Sequence, residues 1–231
     1  MLRKWYDLPD FMRIDEVRPY WEVLNNKRGQ LALKRAFDVA MATALLVILA
    51  IPMIIIAVMI KLDSNGPVFY RQKRVTSYGK IFRIHKFRTM VADADKKGAS
   101  VTVENDNRIT KIGSKIRKLR LDELPQLIDV LNGDMSFVGT RPEVVKYVKR
   151  YKPEYLATLL LPAGITSEAS IRYKDEDKLL NAAGDVDKVY IEYILPQKMK
   201  WNLKSIERFQ LLREFLTMFR TVFATLRKIY K

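Results

Sequence analysis

An uninterrupted apolar segment, residues 39–60, constrains the fold of this chain more than any other feature. Its 22 positions contain no charged side chain, and Thr43 is the only polar one. A straight helix of this length would extend roughly 33 Å, enough to cross a bilayer hydrocarbon core of about 30 Å. Taken alone, this hydropathy predicts one ordinary transmembrane helix.

Two details of the segment instead favour a bent helix that enters and leaves the membrane on one side. Pro52 lies inside the run, where it removes a helical hydrogen bond and bends the helix axis. The flanking residues are basic on both sides, namely Lys27, Arg28, Lys34 and Arg35 before the run and Lys61, Arg71, Lys73 and Arg74 after it. Because short basic flanks stay on the cytoplasmic side of a membrane, both ends are predicted to lie there. The segment is therefore interpreted as a re-entrant helix.

Composition limits the chemistry that the chain can perform. The formal net charge of +16 suits nucleic acid, an anionic membrane surface or phosphate-bearing substrates. There is no cysteine, and His85 is the only histidine, so neither disulfides nor thiolate metal sites can form. A bound metal would have oxygen ligands, which favours magnesium or manganese over zinc.

Pattern along the chain predicts an α/β, mostly helical fold in three parts. Residues 1–35 are an amphipathic lead-in, 36–61 the re-entrant helix, and 62–231 a cytoplasmic catalytic domain. Alternating apolar and basic residues over 68–72 and 80–88 predict a short β-hairpin, and the polar stretch 91–107 predicts a surface loop. Apolar side chains recur at helical spacing over 206–229, as in an amphipathic helix that faces either the core or a lipid surface.

Asp122 and Glu123 are the candidates for catalysis. The sequence has no Gly-x-Ser-x-Gly elbow, P-loop or Gly-x-Gly-x-x-Gly turn. Adjacent side chains on a helix diverge by roughly 100°, so one carboxylate could attack phosphorus and the other hold a divalent cation. Arg88, Arg117 and Arg141 would offer guanidinium groups to phosphate oxygens.

A structural interpretation of the same pair is also open. Asp122 could cap a helix, and Glu123 could favour the positive end of that helix. The spacing of the two residues does not distinguish this role from catalysis.

Six stretches, taken in order, resemble one family. They are residues 34–38 (Lys-Arg-Ala-Phe-Asp), 66–72 (Gly-Pro-Val-Phe-Tyr-Arg-Gln), 86–90 (Lys-Phe-Arg-Thr-Met), 121–126 (Leu-Asp-Glu-Leu-Pro-Gln), 131–139 (Leu-Asn-Gly-Asp-Met-Ser-Phe-Val-Gly) and 141–143 (Arg-Pro-Glu). The chain thereby resembles the monotopic polyprenyl-phosphate phosphoglycosyl transferases, bacterial sugar transferases that begin glycan assembly on undecaprenyl phosphate. The resemblance covers about residues 32–175.

The resemblance implies a role for each carboxylate. Asp122 would be the nucleophile that takes a sugar phosphate from a UDP-sugar and expels UMP, and Glu123 would bind Mg²⁺. Undecaprenyl phosphate would then attack the phosphosugar-aspartate intermediate. The product would start a lipid-linked glycan for a capsule, exopolysaccharide, O-antigen or glycoprotein.

The resemblance also implies roles for basic residues and for the helix break. Lys86, Arg88, Arg117 and Arg141 match positions that bind substrate phosphates, and Pro52 matches the family's membrane-helix break. Three positions depart from the family's pattern. Thr140 stands where many members have proline, and Ile51 stands where serine often precedes the proline of the helix break. Residues 162–170 differ from the commoner family sequence in a segment expected to contact the donor.

The implied location is the cytoplasmic face of a bacterial inner membrane. The implied partners are a UDP-sugar, undecaprenyl phosphate, membrane lipid, a second copy of the chain as a homodimer, and downstream glycosyltransferases. No nucleic acid is expected, because no recognition motif accompanies the basic charge. A non-catalytic basic membrane scaffold is the alternative function.

Overall fold

The structure is a computed structural model that describes residues 2–92, 94, 107–173 and 185–229. Most of the loop predicted at 91–107 lies outside these residues. The described α-helices, in chain order, are α1 Arg18–Asn25, α2 Arg28–Ile48, α3 Ala50–Asp63, α4 Lys111–Lys118, α5 Gln126–Asn132, α6 Val145–Val148, α7 Glu168–Arg172, α8 Val186–Val189, α9 Leu195–Glu207 and α10 Leu211–Ile229. Shorter helical turns of 3₁₀ type cover Trp5–Asp7, Asp10–Met12, Ser77–Gly79, Leu121–Glu123 and Pro153–Leu160, and Tyr190–Ile194 is a π-helical turn.

The apolar segment folds as two helices, α2 and α3, with a bend of 62° between their axes. The break falls at Leu49, and Pro52 occupies the first turn of α3. A proline ring clashes with the carbonyl four residues earlier, and here that carbonyl belongs to Ile48, the last residue of α2. Within the first turn of α3 the missing N–H costs nothing, because such groups have no intrahelical acceptor. Among the described helices no single one is long and apolar enough to cross a membrane, whereas this bent pair meets the length and composition criteria together.

Helix α3 leaves a large apolar surface uncovered. The side chains of Ile51, Ile54, Val58 and Leu62 are 71%, 63%, 53% and 83% exposed. Contiguous apolar surface of this kind is rare on soluble monomers and indicates a binding surface.

The four strands form two small sheets. Strands β1 (Phe69–Val75) and β2 (Ile81–Phe87) pair in antiparallel fashion, from Phe69 opposite Phe87 to Val75 opposite Ile81. Strands β3 (Met135–Val138) and β4 (Ala163–Thr166) pair in parallel. The structure confirms the predicted hairpin and the mostly helical composition.

Two apolar clusters hold the segment that carries Asp122 and Glu123. One cluster lies between α2, β2, α5 and the β3–β4 sheet and includes Leu127 and Val130. The other lies between α3, β2 and α4, with Leu121 and Leu124 packed against it. Because fully burying one large apolar side chain contributes about 1.5–3 kcal/mol, the two clusters fix both ends of this segment.

The C-terminal helix α10 buries only part of its apolar stripe. Leu212, Phe219, Val222 and Phe223 are each more than half exposed. The stripe therefore faces outward over much of its length, which excludes the purely core-facing interpretation for these side chains.

Candidate active site

The chain reaches Asp122 through a left-handed residue. Arg120 follows the C-terminal end of α4 and has φ 57° and ψ 19°, a conformation that costs a residue with a Cβ roughly 1–2 kcal/mol. The tight turn Leu121–Glu123 comes next and leads into α5. Strain of this kind is concentrated at functional sites, where the surrounding packing maintains it.

Glu123 is an ionised carboxylate held by basic side chains. Lys86 Nζ lies 2.9 Å from Glu123 Oε1, and the Arg141 guanidinium donates to both carboxylate oxygens. Arg120 Nη1 lies 3.9 Å from Oε1. Burial opposes ionisation, but Arg141 and Lys86 outweigh it and hold the pKa of Glu123 well below its ordinary value.

Asp122 has the opposite environment although it is the neighbouring residue. Its Oδ1 is enclosed and has no hydrogen-bond partner among the described residues, although the residue as a whole is partly exposed. Burial, together with the charge of Glu123, raises the pKa of Asp122; Lys86, Arg117 and Arg120 oppose this rise. Asp122 lies inside the turn Leu121–Glu123, where Arg120 occupies the N-cap position, and Pro125 occupies that of α5, so Asp122 stands at neither cap position.

Three of the four predicted phosphate-binding residues gather around this pair. Lys86 projects from β2 and Arg141 from the loop after β3, and both contact Glu123. Burial lowers the pKa of the Lys86 ammonium, and the charge of Glu123 offsets part of that effect. Arg117, in the last turn of α4, acts on Asp122 through its positive charge.

Arg88 lies elsewhere, at the C-terminal end of α3. Its side chain is only 5% exposed and donates to the carbonyl oxygens of Ser64 at 2.6 Å and Asn65 at 2.7 Å. A side chain at Gly66, whose φ is 128°, would collide with this guanidinium. Within the described residues, Arg88 donates to Ile60, Ser64 and Asn65 and not to Asp122 or Glu123. Its predicted contact with phosphate stays a prediction.

A buried polar network behind Arg141 was missed by sequence reasoning. Arg74 Nη1 donates to the Pro142 carbonyl at 3.0 Å, and the Tyr190 hydroxyl donates to Glu143 Oε1 at 2.5 Å. Lys198 Nζ donates to the Tyr190 hydroxyl at 3.0 Å. Glu143 belongs to the matched 141–143 stretch, which was the one available signal. The network fixes the loop that presents Arg141.

The segment expected to contact the donor adjoins the same arginine. Gly139 and Gly164 lie back to back: the Gly164 N–H donates to the Thr140 carbonyl at 2.8 Å, and the Gly139 N–H donates to the Thr166 carbonyl at 3.0 Å. Arg141 Nη1 lies 3.5 Å from the Ile165 carbonyl oxygen. Strand β4 therefore borders the carboxylate pair.

The donor set fits a magnesium ion that takes its remaining ligands from a substrate. The described residues contain no group of three or more His, Asp or Glu side chains able to hold a metal by themselves. Glu123, however, is ionised and can supply one carboxylate. Magnesium commonly binds through one or two carboxylates plus substrate phosphates and water.

Taken together, these groups can bind a diphosphate and attack it. The Asp122 carboxyl lies within the electrostatic influence of Lys86, Arg117 and Arg120. The apolar surface of α3 adjoins β2 through the second cluster. Such an arrangement suits transfer of a phosphorylated group from a soluble donor to an amphiphilic acceptor.

Comparison with known proteins agrees with this chemistry. The model of the bacterial sugar transferase family matches residues 29–228. Relatives include the UDP-N-acetylgalactosamine-undecaprenyl-phosphate N-acetylgalactosaminephosphotransferase of Aeromonas hydrophila, 35% identical over 82% of this chain and 43% of the relative. The UDP-glucose:undecaprenyl-phosphate glucose-1-phosphate transferases of Escherichia coli (strain K12) and Caulobacter vibrioides are each 35% identical, over 81% and 82% of this chain and 40% and 68% of the relatives.

This chain thus spans less than half the length of the first and second of these relatives, and about two thirds of the third. The match of the family model includes the carboxylate pair, the basic residues around it and the bent helix. By that match and by these relatives, the chain belongs to the bacterial sugar transferase family.

Proposed function

We propose that this protein moves a sugar 1-phosphate from a UDP-sugar to undecaprenyl phosphate and releases UMP. The observation that carries the proposal is the contrast within one dipeptide. Glu123 is ionised and paired with Lys86 and Arg141, whereas Asp122 is partly exposed and its Oδ1 has no partner among the described residues. The activities named for the relatives supply the donor and acceptor classes.

In the first half-reaction, Asp122 Oδ2 attacks the phosphorus that bears the sugar. An Asp122–phosphorus bond forms, the bond from that phosphorus to the bridging oxygen breaks, and UMP leaves with the electron pair. Lys86, Arg117 and Arg141 offset the negative charge that builds up on the phosphate oxygens. The raised pKa of Asp122 makes its ionised form a stronger nucleophile.

In the second half-reaction, a phosphate oxygen of undecaprenyl phosphate attacks the same phosphorus. The Asp122–phosphorus bond breaks, and the carboxylate is regenerated with its electron pair. One carboxylate thus serves both half-reactions, which accounts for a single candidate nucleophile in the site. The product is an undecaprenyl diphosphate sugar, the starting unit for a lipid-linked glycan.

Glu123 would hold Mg²⁺. When bound, the ion would neutralise negative charge on the pyrophosphate. For Glu123 to do so, substrate phosphates have to draw Lys86 and Arg141 away from its carboxylate. The three residues therefore exchange partners when the donor binds, and the enzyme without substrate keeps them paired.

The proposed location is the cytoplasmic face of a bacterial inner membrane. The exposed apolar faces of α3 and α10 and the basic flanks of the bent pair support it. A site at the membrane surface meets a soluble donor and an acceptor whose phosphate stays at the interface.

The experiment that tests the proposal is a UMP-release assay with purified protein, undecaprenyl phosphate, Mg²⁺ and a panel of UDP-sugars. We expect one donor or a few to release UMP, and Asp122→Asn or a chelator to abolish release. Release that survives Asp122→Asn would refute the assigned nucleophile. Silence of folded, lipid-reconstituted protein across the whole panel would favour the non-catalytic scaffold.

A further inference from the structure

Gln126, the first residue of α5, has a buried side chain that satisfies none of its hydrogen-bonding capacity. The residue is 1% exposed, and both its amide nitrogen Nε2 and its amide oxygen Oε1 are enclosed with no partner among the described residues. The only other enclosed, unpartnered side-chain atoms in the described ranges are Arg74 Nε, Arg88 Nε and Asp122 Oδ1. Three of these five atoms thus belong to Asp122 and Gln126.

An amide in this position works against folding. A buried donor or acceptor without a partner forfeits the hydrogen bonds that it makes with water in the unfolded chain. Leu127, the next residue, packs in the apolar cluster, and a methionine at 126 would fill similar volume without that penalty. Buried unsatisfied groups of this kind require an explanation outside stability.

The backbone brings the two side chains within reach of each other. Leu124 and Pro125, between the two residues, have right-handed helical angles of φ −53°, ψ −39° and φ −63°, ψ −13°. The Leu124 N–H donates to the Leu121 carbonyl, and the Leu127 N–H donates to the Leu124 carbonyl, so the chain keeps a helical course from the turn into α5. Residues four apart on such a path are separated by about one turn, a spacing at which side chains interact. A primary amide donates through Nε2, and an enclosed carboxylate oxygen accepts.

We propose that Gln126 is a positioning residue for the nucleophile, whose amide donates a hydrogen bond to Asp122 Oδ1 during phosphoryl transfer and so directs Oδ2 to phosphorus. The inference rests on the proposed function. Atoms and charges balance as in the first half-reaction: the Oδ2–phosphorus bond forms and the bond to UMP breaks. Gln126 stays neutral and transfers no proton.

This role divides the two carboxylate oxygens between two tasks. Oδ1 faces the protein interior and becomes the carbonyl oxygen of the acyl phosphate, where the amide holds it. Oδ2 carries the sugar phosphate, and its orientation is fixed because rotation of the carboxylate would break the bond to Gln126. The hydrogen bond from Gln126 thus favours one direction of attack by Oδ2. No charged group beyond those already around Asp122 is needed to set that direction.

The test compares Gln126→Met with wild type and with Gln197→Met, a matched substitution at an exposed glutamine. The burst of UMP from a UDP-sugar is followed without acceptor, so that the donor half-reaction alone is measured. We expect Gln126→Met to keep or raise the melting temperature and to slow the burst at least 10-fold, with the donor KM changed less than threefold. Gln197→Met should match wild type in both respects.

A pH profile separates positioning from a packing role. An amide that donates to the ionised carboxylate favours ionisation, so its loss should move the acidic limb of the burst rate to higher pH. A burst within twofold of wild type in folded Gln126→Met would overturn the proposal. So would a slower burst that comes with a lower melting temperature and an unmoved acidic limb.

Two further outcomes keep the inference distinct from the function on which it rests. If Gln126→Met does not fold, the same measurements on Gln126→Asn, which keeps the amide but shortens its reach, decide the matter by the same criteria. If wild type gives no UMP burst at all, the proposed function fails. If wild type and Gln126→Met release the UMP burst at the same rate, only the positioning role fails.

Discussion

The Nζ atom of Lys86 lies 2.9 Å from Oε1 of Glu123, and this ion pair gives the two neighbouring carboxylates of the site different electrostatic environments. Glu123 forms ion pairs with Lys86 and Arg141, which hold its pKa well below the ordinary value. The Asp122 carboxyl is buried beside the negative charge of Glu123, and these two effects raise its pKa. Pairs of titratable groups whose environments drive their pKa values apart are typical of catalytic sites.

Asp122→Asn is expected to stabilise the fold at neutral pH although it removes the nucleophile. The folded-state pKa of Asp122 is raised, so its ionised form opposes folding above the unfolded pKa near 3.8. Removing that charge should raise the melting temperature at pH 7, and the advantage should vanish as pH falls below 3.8. Thermal unfolding of both proteins from pH 7 to pH 3 measures this. A lower melting temperature for Asp122→Asn at pH 7 would contradict it.

Glu123→Gln is expected to destabilise the fold at neutral pH, the reverse of the result for Asp122. Removing one member of a buried ion pair leaves uncompensated charge and costs about 3 kcal/mol. Because the folded pKa of Glu123 is lowered, its contribution is present above the unfolded pKa of 4.5 and is lost as pH falls through the folded value.

Chemical denaturation at pH 7 and at pH 3 measures the difference between Glu123→Gln and wild type. The control is Glu168→Gln, since Glu168 pairs with Arg172 at 3.1 Å across exposed surface and such pairs contribute less than about 1 kcal/mol. A pH-independent gap for Glu123→Gln would show that its carboxylate charge does not stabilise the fold.

Arg88→Lys tests whether Arg88 holds helix α3 or binds phosphate. Lysine cannot reproduce the bonds to the Ser64 and Asn65 carbonyls, and charged hydrogen bonds contribute about 1.5–3 kcal/mol each. We expect a loss of about 2 kcal/mol in the free energy of unfolding with an unchanged donor KM. Lys86→Met, which removes a cation from the carboxylate pair, should lower kcat/KM at least 10-fold. An intact fold with a raised donor KM in Arg88→Lys would assign Arg88 to phosphate binding.

The bent helix pair predicts that both of its ends lie on one side of the membrane. The chain has no cysteine, so single cysteines at Gly29 and Asn65 can be labelled without background. We expect an impermeant maleimide to label both sites in inside-out vesicles and neither in sealed, right-side-out cells. Pro52→Ala, which removes the clash that ends α2, should shift a fraction of the protein to labelling from opposite sides. Opposite-side labelling in the wild-type background would show a spanning helix.

The sequence was informative where a local pattern determines the structure. The alternation around Phe69 and Ile84 predicted the hairpin, and Pro52 with its two basic flanks predicted a bend that the structure places at Leu49. The dipeptide Asp122–Glu123 stood out as an acidic pair beside several arginines in a sequence that has no cysteine, P-loop or Gly-x-Ser-x-Gly elbow.

Other features depend on contacts between distant residues and left no local signal. Arg88 donates to the carbonyl of Ser64, 24 residues earlier in the chain. An arginine of the basic motif therefore contacts the C-terminal end of α3. Glu143 meets Tyr190 across 47 residues, and the burial of Gln126 depends on packing from several elements. A hydrophobic stripe also does not reveal what covers it, as the exposed Phe219 shows.

The central claim is that Asp122 carries the sugar phosphate covalently, and peptide mass spectrometry of the acid-quenched protein tests it most directly. Purified protein is mixed with Mg²⁺ and the active UDP-sugar in the absence of acceptor, then quenched in acid and digested. We predict a mass increase equal to one sugar phosphate on the peptide that contains Asp122, its disappearance on addition of undecaprenyl phosphate, and no increase in Asp122→Asn. An adduct on another residue, or rapid UMP release that requires the acceptor and leaves no adduct, would contradict the account.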